Sequence, residues 1–160
     1  MSKFDIPASM YVRPRKTRDP KDDIDEVHPR IYMSGYAPAD CWATLQRCGI
    51  THILTVTPHA RPKFEDKGIV YMVIDDIQDN TQQNVINYFQ QTNVFIKQAL
   101  AENTTNKVLV HCAAGISRSG AFCAAYMIGE GGLTFQQAIA QGQANRKSAH
   151  GFHPNTSFQE

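Results

Sequence analysis

The apolar residues of this chain follow two alternating patterns. Short runs rich in β-branched side chains predict four strands, at 31–33, 52–57, 69–74 and 108–110. Apolar positions at helical spacing predict four helices, at 38–47, 85–100, 118–128 and 134–145. The strand Val-Leu-Val at 108–110 has no polar position and is expected to be buried on both faces. Strands that alternate with helices indicate a single α/β domain with a central, mostly parallel sheet flanked by helices.

The first 24 residues differ from the rest of the chain. Three prolines lie among charged side chains, and no apolar period is sustained there. Residues 1–21 carry six basic and two acidic side chains, a net charge of +4, whereas the formal net charge of the whole chain is +1. We therefore predict a basic, proline-containing and mostly extended arm at 1–24, and one domain at 25–160.

Length, charge and cysteine content narrow the partners and the cellular compartment expected for this domain. A length of 160 residues suits one domain with a hydrophobic core, and a net charge of +1 gives no reason to expect a nucleic-acid or membrane partner. The four cysteines lack a disulfide-framework spacing, and the first residues lack an apolar stretch of signal-peptide length. Free thiols predict a reducing compartment, the cytoplasm, the nucleus or both.

Three of the four cysteines are interpreted as structural. Cys41 and Cys48 are expected on one face of the helix at 38–47, packed in the core. Cys123 is also expected in the core, with a role as resolving partner for an oxidised Cys112 as the alternative. A nearby pair of histidines at 150 and 153 has no third ligand close in sequence, so no metal site is predicted.

The stretch KVLVHCAAGISRSG at 107–120 carries the strongest chemical signal. A buried strand leads into His111 and Cys112, and Arg118 and Ser119 open a helix. Such a turn directs successive backbone N–H groups at one point, where they form an anion site at the helix N-terminus. Small side chains let the backbone curl closely around a phosphate, and Gly115 tolerates unusual φ values. The predicted phosphate-binding residues are Ala113, Ala114, Gly115, Ile116, Ser117 and Arg118.

Each side chain around this turn has an expected role. Arg118, six positions after Cys112, offers a planar guanidinium that matches two phosphate oxygens. The guanidinium and the N–H dipoles are expected to lower the pKa of Cys112 and make it a nucleophilic thiolate. Ser119 can donate a hydrogen bond to the leaving thiolate. His111 is expected to orient the loop by hydrogen bonding rather than to transfer protons.

The segment HCAAGISRS resembles the signature loop of the protein tyrosine phosphatase superfamily, in the form found in its dual-specificity branch. The resemblance extends over roughly 24–158 and includes EVHPRIYMSG and ITHILTV. It implies a cysteine-phosphatase fold and a catalytic domain at 25–160. The subgroup that the chain resembles most is the phosphoserine/threonine/tyrosine-interacting one, judged by DIQDN and AGISRSGAF. Some members of that subgroup lack the cysteine, whereas Cys112 is present here.

A phosphatase of this kind also needs an acid to protonate the leaving oxygen. The family resemblance places this acid nine residues before a Tyr-Phe pair on a helix, and counting back from Tyr88 and Phe89 indicates Asp79. Asp75 and Asp76 precede it at the end of a predicted strand and stay open as alternatives.

The predicted function is hydrolysis of phosphotyrosine and phosphoserine/threonine in proteins through a cysteinyl-phosphate intermediate, without a metal or organic cofactor. The expected partner is a phosphorylated protein, and the oligomeric state stays open. A phosphate-binding adaptor without turnover, an RNA 5′-triphosphatase and a phosphoinositide phosphatase are the alternatives. The last is disfavoured because the loop AAGIS carries no lysine or arginine for additional phosphates.

Overall fold

The computed structural model describes residues 18–58, 60–75, 82–113, 118–148 and 151–152, with side chains from residue 85 onward in the helix that begins at 82. Its strands are β1 (Ile24–His28), β2 (Ile31–Ser34), β3 (His52–Thr55), β4 (Val70–Val73) and β5 (Val108–His111). They form one sheet in the order β1-β2-β5-β3-β4. β5 lies at the centre between β2 and β3, parallel to both, and β4 is parallel to β3. The predicted α/β fold with a mostly parallel sheet is confirmed.

One edge of the sheet departs from the parallel arrangement. β1 pairs with β2 in antiparallel orientation, and the hydrophobic pattern predicts no strand at 24–28. The apolar residues of its sequence, IDEVH, do not alternate with polar ones, because the buried second position is Asp25. The exposed position is Glu26. The central strand behaves as predicted, since all four residues of β5 are buried.

The helices are α1 (Tyr36–Ala39), α2 (Trp42–Cys48), α3 (Gln82–Glu102), α4 (Arg118–Gly129) and α5 (Phe135–Asn145). The last three match the predicted helices to within a few residues. Thr134 caps α5 by accepting a hydrogen bond from the Gln137 N–H, and the Gln137 side chain accepts one from the Thr134 N–H in return. None of the helices that the structure describes is both long and apolar enough to cross a membrane.

The single helix predicted at 38–47 is wrong. The chain leaves the helical conformation at Asp40 and Cys41, and Cys41 is an extended residue that precedes α2. Ala39 and Leu45 nevertheless pack in the same cluster. In one continuous helix these positions would lie on different faces, since six residues at about 100° each place them roughly 120° apart around the axis. The break therefore lets both short helices bury their apolar side against the sheet.

Each face of the sheet covers a separate cluster of buried side chains. The first core cluster lies between the sheet and α3, α4 and α5, and its strand residues include Val27, Ile31, Met33, Leu54, Val108 and Val110. The second core cluster lies against α1 and α2, and its buried members are Ile24, Ala39, Leu45, Ile50, Ile53, Ile69 and Leu109. Successive residues of β5 alternate between the two clusters, as strand geometry requires. This double burial holds the carboxyl end of β5, where the candidate site begins.

Candidate active site

The candidate site lies where the central strand meets the amino end of α4. His111 is the last residue of β5, Cys112 follows directly, and Arg118 is the first residue of α4. Cys112 is buried, with 4% of its surface exposed, and belongs to the first core cluster. The predicted connection from strand to helix is therefore present. Ala113 is exposed at the start of the connection, and the predicted phosphate-binding residues Ala114, Gly115, Ile116 and Ser117 lie outside the described residues.

The structure brings the predicted nucleophile and Ser119 into contact. Cys112 Sγ lies 3.5 Å from Ser119 Oγ, and the thiol donates to the hydroxyl in this arrangement. A thiolate has no proton to donate, so the Ser119 O–H would reverse and donate to the sulfur. Ser119 is fully buried, which makes such a hydrogen bond stronger than it would be in water. The geometry fits the role predicted for Ser119, and that role stays a prediction.

His111 is held as a neutral imidazole. Its ring is 3% exposed, and Nε2 lies 2.9 Å from Thr55 Oγ1 on the neighbouring strand. Burial lowers the pKa of His111 to about 4, although the charge of Asp40 and the backbone of Cys112 oppose the shift. An imidazole of such low pKa is uncharged at neutral pH and lacks the acidic second proton that a general acid would donate. Its hydrogen bond to Thr55 instead ties the strand before Cys112 to β3.

Arg118 stands at the opening of α4 with its side chain partly buried. Burial lowers the pKa of its guanidinium below the usual value, while the electrostatic influence of Tyr36 acts in the opposite direction. A guanidinium stays protonated in proteins even so. A positive charge therefore stands at the same helix terminus as Cys112 and Ser119, where the helix dipole also favours an anion.

Three polar residues around the site were not found from the sequence. Thr55 and Thr57 lie at and just beyond the carboxyl end of β3, and Tyr36 follows β2. Tyr36 Oη lies 3.0 Å from Thr57 Oγ1, and the Tyr36 ring stands edge-on to the His111 ring at 6.2 Å between centroids. Carboxyl ends of parallel strands meet at one edge of a sheet, and ligands bind there. A search of the residues at and just after the carboxyl end of each predicted strand would therefore have found these three.

The position of the general acid is described only in part. Asp75 is exposed just after β4, whereas Asp76 and the predicted acid Asp79 lie outside the described residues. The choice among the three aspartates therefore stays a prediction.

The other cysteines divide into one core residue and two partly exposed ones. Cys123 is fully buried in the first core cluster, as predicted, and burial raises the pKa of its thiol. Cys48 ends α2 and packs against the second core cluster. Core packing is wrong for Cys41, which caps α2 from outside the helix and belongs to neither cluster. A hydrogen bond with the Thr44 side chain lowers the pKa of Cys41. No group of three or more metal-ligating side chains occurs among the described residues.

Comparison with known proteins agrees with this arrangement. The family model for the dual specificity phosphatase catalytic domain matches residues 31–160. A crystal structure of the human tyrosine phosphatase-like serine/threonine/tyrosine-interacting protein superposes with a TM-score of 0.75 at 34% identity, covering 86% of this chain and 91% of that one. A crystal structure of DUSP15 superposes with a TM-score of 0.74 at 27% identity, covering 86% of this chain and 83% of that one.

Curated relatives point the same way. The chain is 36% identical over 135 residues to MAP kinase phosphatase with leucine-rich repeats protein 3 of Dictyostelium discoideum, covering 84% of this chain and 15% of that protein. It is 35% identical over 142 residues to the serine/threonine/tyrosine-interacting protein of Mus musculus, covering 85% of this chain and 61% of that protein. The chain thus spans only part of the length of these relatives. The resemblance inferred from HCAAGISRS is confirmed, and the chain belongs to the dual-specificity phosphatase family.

Proposed function

We propose that this chain is a protein phosphatase that hydrolyses phosphotyrosine and phosphoserine/threonine through a cysteinyl-phosphate intermediate. The observation that carries the proposal is the placement of a buried cysteine, Cys112, 3.5 Å from the hydroxyl of Ser119 at the amino end of α4, which Arg118 opens. The amino end of a helix and a guanidinium both favour an anion at this position. Family membership supports phosphate esters as the substrates of the Cys112 thiolate.

The first chemical step is attack of the Cys112 thiolate on phosphorus. A sulfur–phosphorus bond forms, the bond from phosphorus to the ester oxygen breaks, and the leaving oxygen takes a proton from Asp79. The guanidinium of Arg118 and the backbone N–H groups of residues 113–118 hold the nonbridging phosphate oxygens.

In the second step water attacks the phosphocysteine. Asp79, now a carboxylate, accepts a proton from that water, and inorganic phosphate leaves as the thiolate is restored. Ser119 stabilises the departing sulfur, because its hydroxyl is within hydrogen-bonding distance of Cys112. Each residue thereby returns to its starting protonation state. No metal or organic cofactor is needed in this cycle.

A second candidate is binding of a phosphorylated protein without turnover. The name of the mouse and human relatives, serine/threonine/tyrosine-interacting protein, favours it, since it describes interaction rather than hydrolysis. The presence of Cys112 favours the enzyme.

The test is hydrolysis of para-nitrophenyl phosphate and of phosphopeptides by wild type, Cys112→Ser and Arg118→Lys. Cys112→Ser is expected to lose turnover but to keep tungstate binding, because the guanidinium and the loop N–H groups remain. Arg118→Lys is expected to lose more than tenfold in turnover, since an ammonium lacks the two-pronged geometry of guanidinium.

The matched control is Cys41→Ser, which removes a cysteine from a helix cap where serine is well accepted. It should retain wild-type turnover. After rapid acid quenching, mass spectrometry should find phosphate on Cys112. Tungstate binding by wild type without hydrolysis of any substrate would favour the binding candidate. Wild-type hydrolysis by Cys112→Ser would overturn both the nucleophile and the proposed intermediate.

A further inference from the structure

Thr55 and His111 are paired on neighbouring strands. Thr55 ends β3, His111 ends β5, and the two residues are partners in the register of these parallel strands. Thr55 Oγ1 lies 2.9 Å from His111 Nε2, and the Val56 N–H donates to the His111 carbonyl oxygen at 3.0 Å. β3 therefore holds both the side chain and the backbone of the residue that immediately precedes Cys112.

The contact between hydroxyl and imidazole is shielded from water. Thr55 is 2% exposed, and His111 is nearly as deeply buried. A hydroxyl and a neutral imidazole each carry a donor and an acceptor, so the pair forms a hydrogen bond in either direction. Solvent does not replace a partner at this depth, and loss of the hydroxyl therefore leaves a ring nitrogen unsatisfied. The edge of the Tyr36 ring contacts the imidazole but offers Nε2 no substitute bond.

The position of the sulfur depends on the end of β5. Cys112 is joined to His111 by one peptide bond and lies just beyond the last paired residue of the strand. Its Sγ reaches Ser119 Oγ, which is fully buried on α4. The two atoms belong to different elements, so their separation is set by how firmly each element is held. On the strand side, that anchoring includes the hydrogen bond between His111 and Thr55.

We propose that Thr55 is a positioning residue for the nucleophile. Its hydroxyl holds the imidazole of His111, and this contact fixes the end of β5. Cys112 Sγ is thereby kept within hydrogen-bonding distance of Ser119 Oγ. The inference rests on the proposed function, since it assigns the attack on phosphorus to Cys112.

The kinetic test compares Thr55→Val, which keeps the branched shape without the hydroxyl, with Thr55→Ser, which keeps the hydroxyl. Thr55→Val should lower kcat on an aryl phosphate about tenfold, the order expected for one lost buried hydrogen bond. Thr55→Ser should restore kcat close to wild type. Tungstate affinity, measured by calorimetry, should stay within about twofold in both variants, because Arg118 is unchanged. Wild-type kcat in Thr55→Val, or an equal loss of kcat and tungstate affinity, would overturn the inference.

A spectroscopic readout follows the sulfur without any need for turnover. In protein labelled with ¹³C-cysteine, the Cβ signal of Cys112 should move in Thr55→Val, because the sulfur leaves its contact with Ser119. The same signal should keep its wild-type position in Thr55→Ser. Cys41 and Cys48 flank and end α2, and their signals serve as internal references that should not move. An unmoved Cys112 signal in Thr55→Val would contradict the positioning role.

The matched control is Thr92→Val. Thr92 is fully buried as well, and its hydroxyl donates to the Phe89 carbonyl oxygen within α3. This variant loses a comparable hydrogen bond at a place other than the end of β5. It should keep wild-type kcat, tungstate affinity and Cys112 signal, which separates the effect at Thr55 from the general cost of losing a buried hydroxyl.

A double-variant comparison links Thr55 to the contact between sulfur and serine. In a Ser119→Ala background, Thr55→Val should lower kcat by about twofold or less, because the contact that it maintains is already gone. An equal loss in both backgrounds would overturn the inference. If Thr55→Val does not fold, Thr55→Ala and Thr55→Ser decide by the same measurements, since these two variants differ by the hydroxyl alone.

The inference and the proposed function can fail separately. Wild-type protein that binds tungstate without hydrolysing phosphate esters would refute the enzyme, yet the Cys112 signal would still report whether Thr55 positions the sulfur. Hydrolysis by wild type together with wild-type kcat in Thr55→Val would refute only the positioning role.

Discussion

Arg146 donates from Nη1 to Asp25 Oδ2 at 2.8 Å, and its side chain has no exposure to solvent. The same carboxylate accepts hydrogen bonds from the Arg18 guanidinium and from the Lys147 backbone N–H. Burial alone would raise the pKa of Asp25, but the hydrogen bond from Arg18, the charge of Arg146 and the Lys147 N–H lower it overall. These contacts hold the chain after α5 against β1. They also bind Arg18, which belongs to the last part of the predicted arm, to the same strand.

The first prediction concerns this buried pair. Asp25→Asn should lower the free energy of unfolding by about 3 kcal/mol, because it removes the nearer of the two carboxylates beside the buried Arg146 and leaves only Asp23, at 3.7 Å. Urea unfolding monitored by circular dichroism measures it. The control is Asp22→Asn, which removes the partner of Arg47 in an exposed pair and should leave stability close to wild type. Equal stability of the two variants would show that the buried network contributes little.

The parts of the fold that could be predicted are those in which local pattern and tertiary packing agree. β5 is apolar throughout and lies at the centre of the sheet, and α4 and α5 follow regular helical spacing. The pattern failed where tertiary contacts decide. The chain turns at Asp40 and Cys41 so that two short helices share one core, and β1 carries a buried aspartate whose partner lies 121 residues away.

The residues of the candidate site also divide into those that local sequence predicts and those that depend on tertiary contacts. Cys112, Arg118 and Ser119 could be predicted because they are close in sequence, and a strand followed by a helix brings them together. Tyr36, Thr55 and Thr57 come from other strands, so their proximity to His111 depends on the order of strands in the sheet. Hydrophobic periodicity reports which residues are buried but not which strands are neighbours.

The second prediction concerns Arg30, which adopts a left-handed conformation with φ of 67°. Arg30 donates to the carbonyl oxygens of Leu100, Asn103 and Asn106, at and beyond the carboxyl end of α3. Leu100 lies in the last turn of α3, where carbonyl oxygens lack helical partners, so the side chain offsets its backbone strain by capping the helix.

Two substitutions separate the strain from the capping. Arg30→Ala removes the cap and keeps the strain, whereas Arg30→Gly removes both. The glycine variant should therefore be the more stable of the two by about 1 kcal/mol, the order of the cost of a left-handed residue with a Cβ. Arg30→Ala should be less stable than wild type by about 1–3 kcal/mol through loss of the cap. Urea unfolding of the three proteins measures both differences, and equal stability of the two variants would contradict the strain.

The third prediction concerns stability below neutral pH. The pKa of His111 is about 4 in the folded protein and about 6.5 in an unfolded chain. Between these values the unfolded state binds the proton and the folded state does not, so stability must fall as the pH falls from 6.5 to 4. The loss from this group should approach about 3 kcal/mol at pH 4.

The measurement is urea unfolding of wild type and His111→Gln across this pH range. Glutamine does not titrate, so the variant should lose less stability as the pH falls. Burial also lowers the pKa of His52, and the variant should keep the part of the slope that comes from that residue. Asp25 affects stability only at lower pH. Because its pKa is lowered, its contribution to the free energy of unfolding persists until the pH falls below the usual aspartate range. Identical slopes for wild type and His111→Gln would contradict the buried neutral imidazole.

The last prediction tests Asp79 as the general acid, against Asp75 and Asp76. An acid that protonates the leaving oxygen matters in proportion to how poor the leaving group is. Asp79→Asn should therefore reduce hydrolysis of phosphothreonine by about 10²- to 10⁴-fold, and that of an activated aryl phosphate much less. The profile of kcat/KM against pH should also change. Wild type should show an alkaline limb from deprotonation of the acid.

In Asp79→Asn the alkaline limb should flatten, because no proton remains to be lost there. Asp75→Asn and Asp76→Asn are the matched controls, since each removes one carboxyl from the same segment and should keep the alkaline limb. If Asp75→Asn or Asp76→Asn flattened the alkaline limb while Asp79→Asn preserved it, the count back from Tyr88 and Phe89 would be wrong. The acid would then be the aspartate whose loss removed the limb.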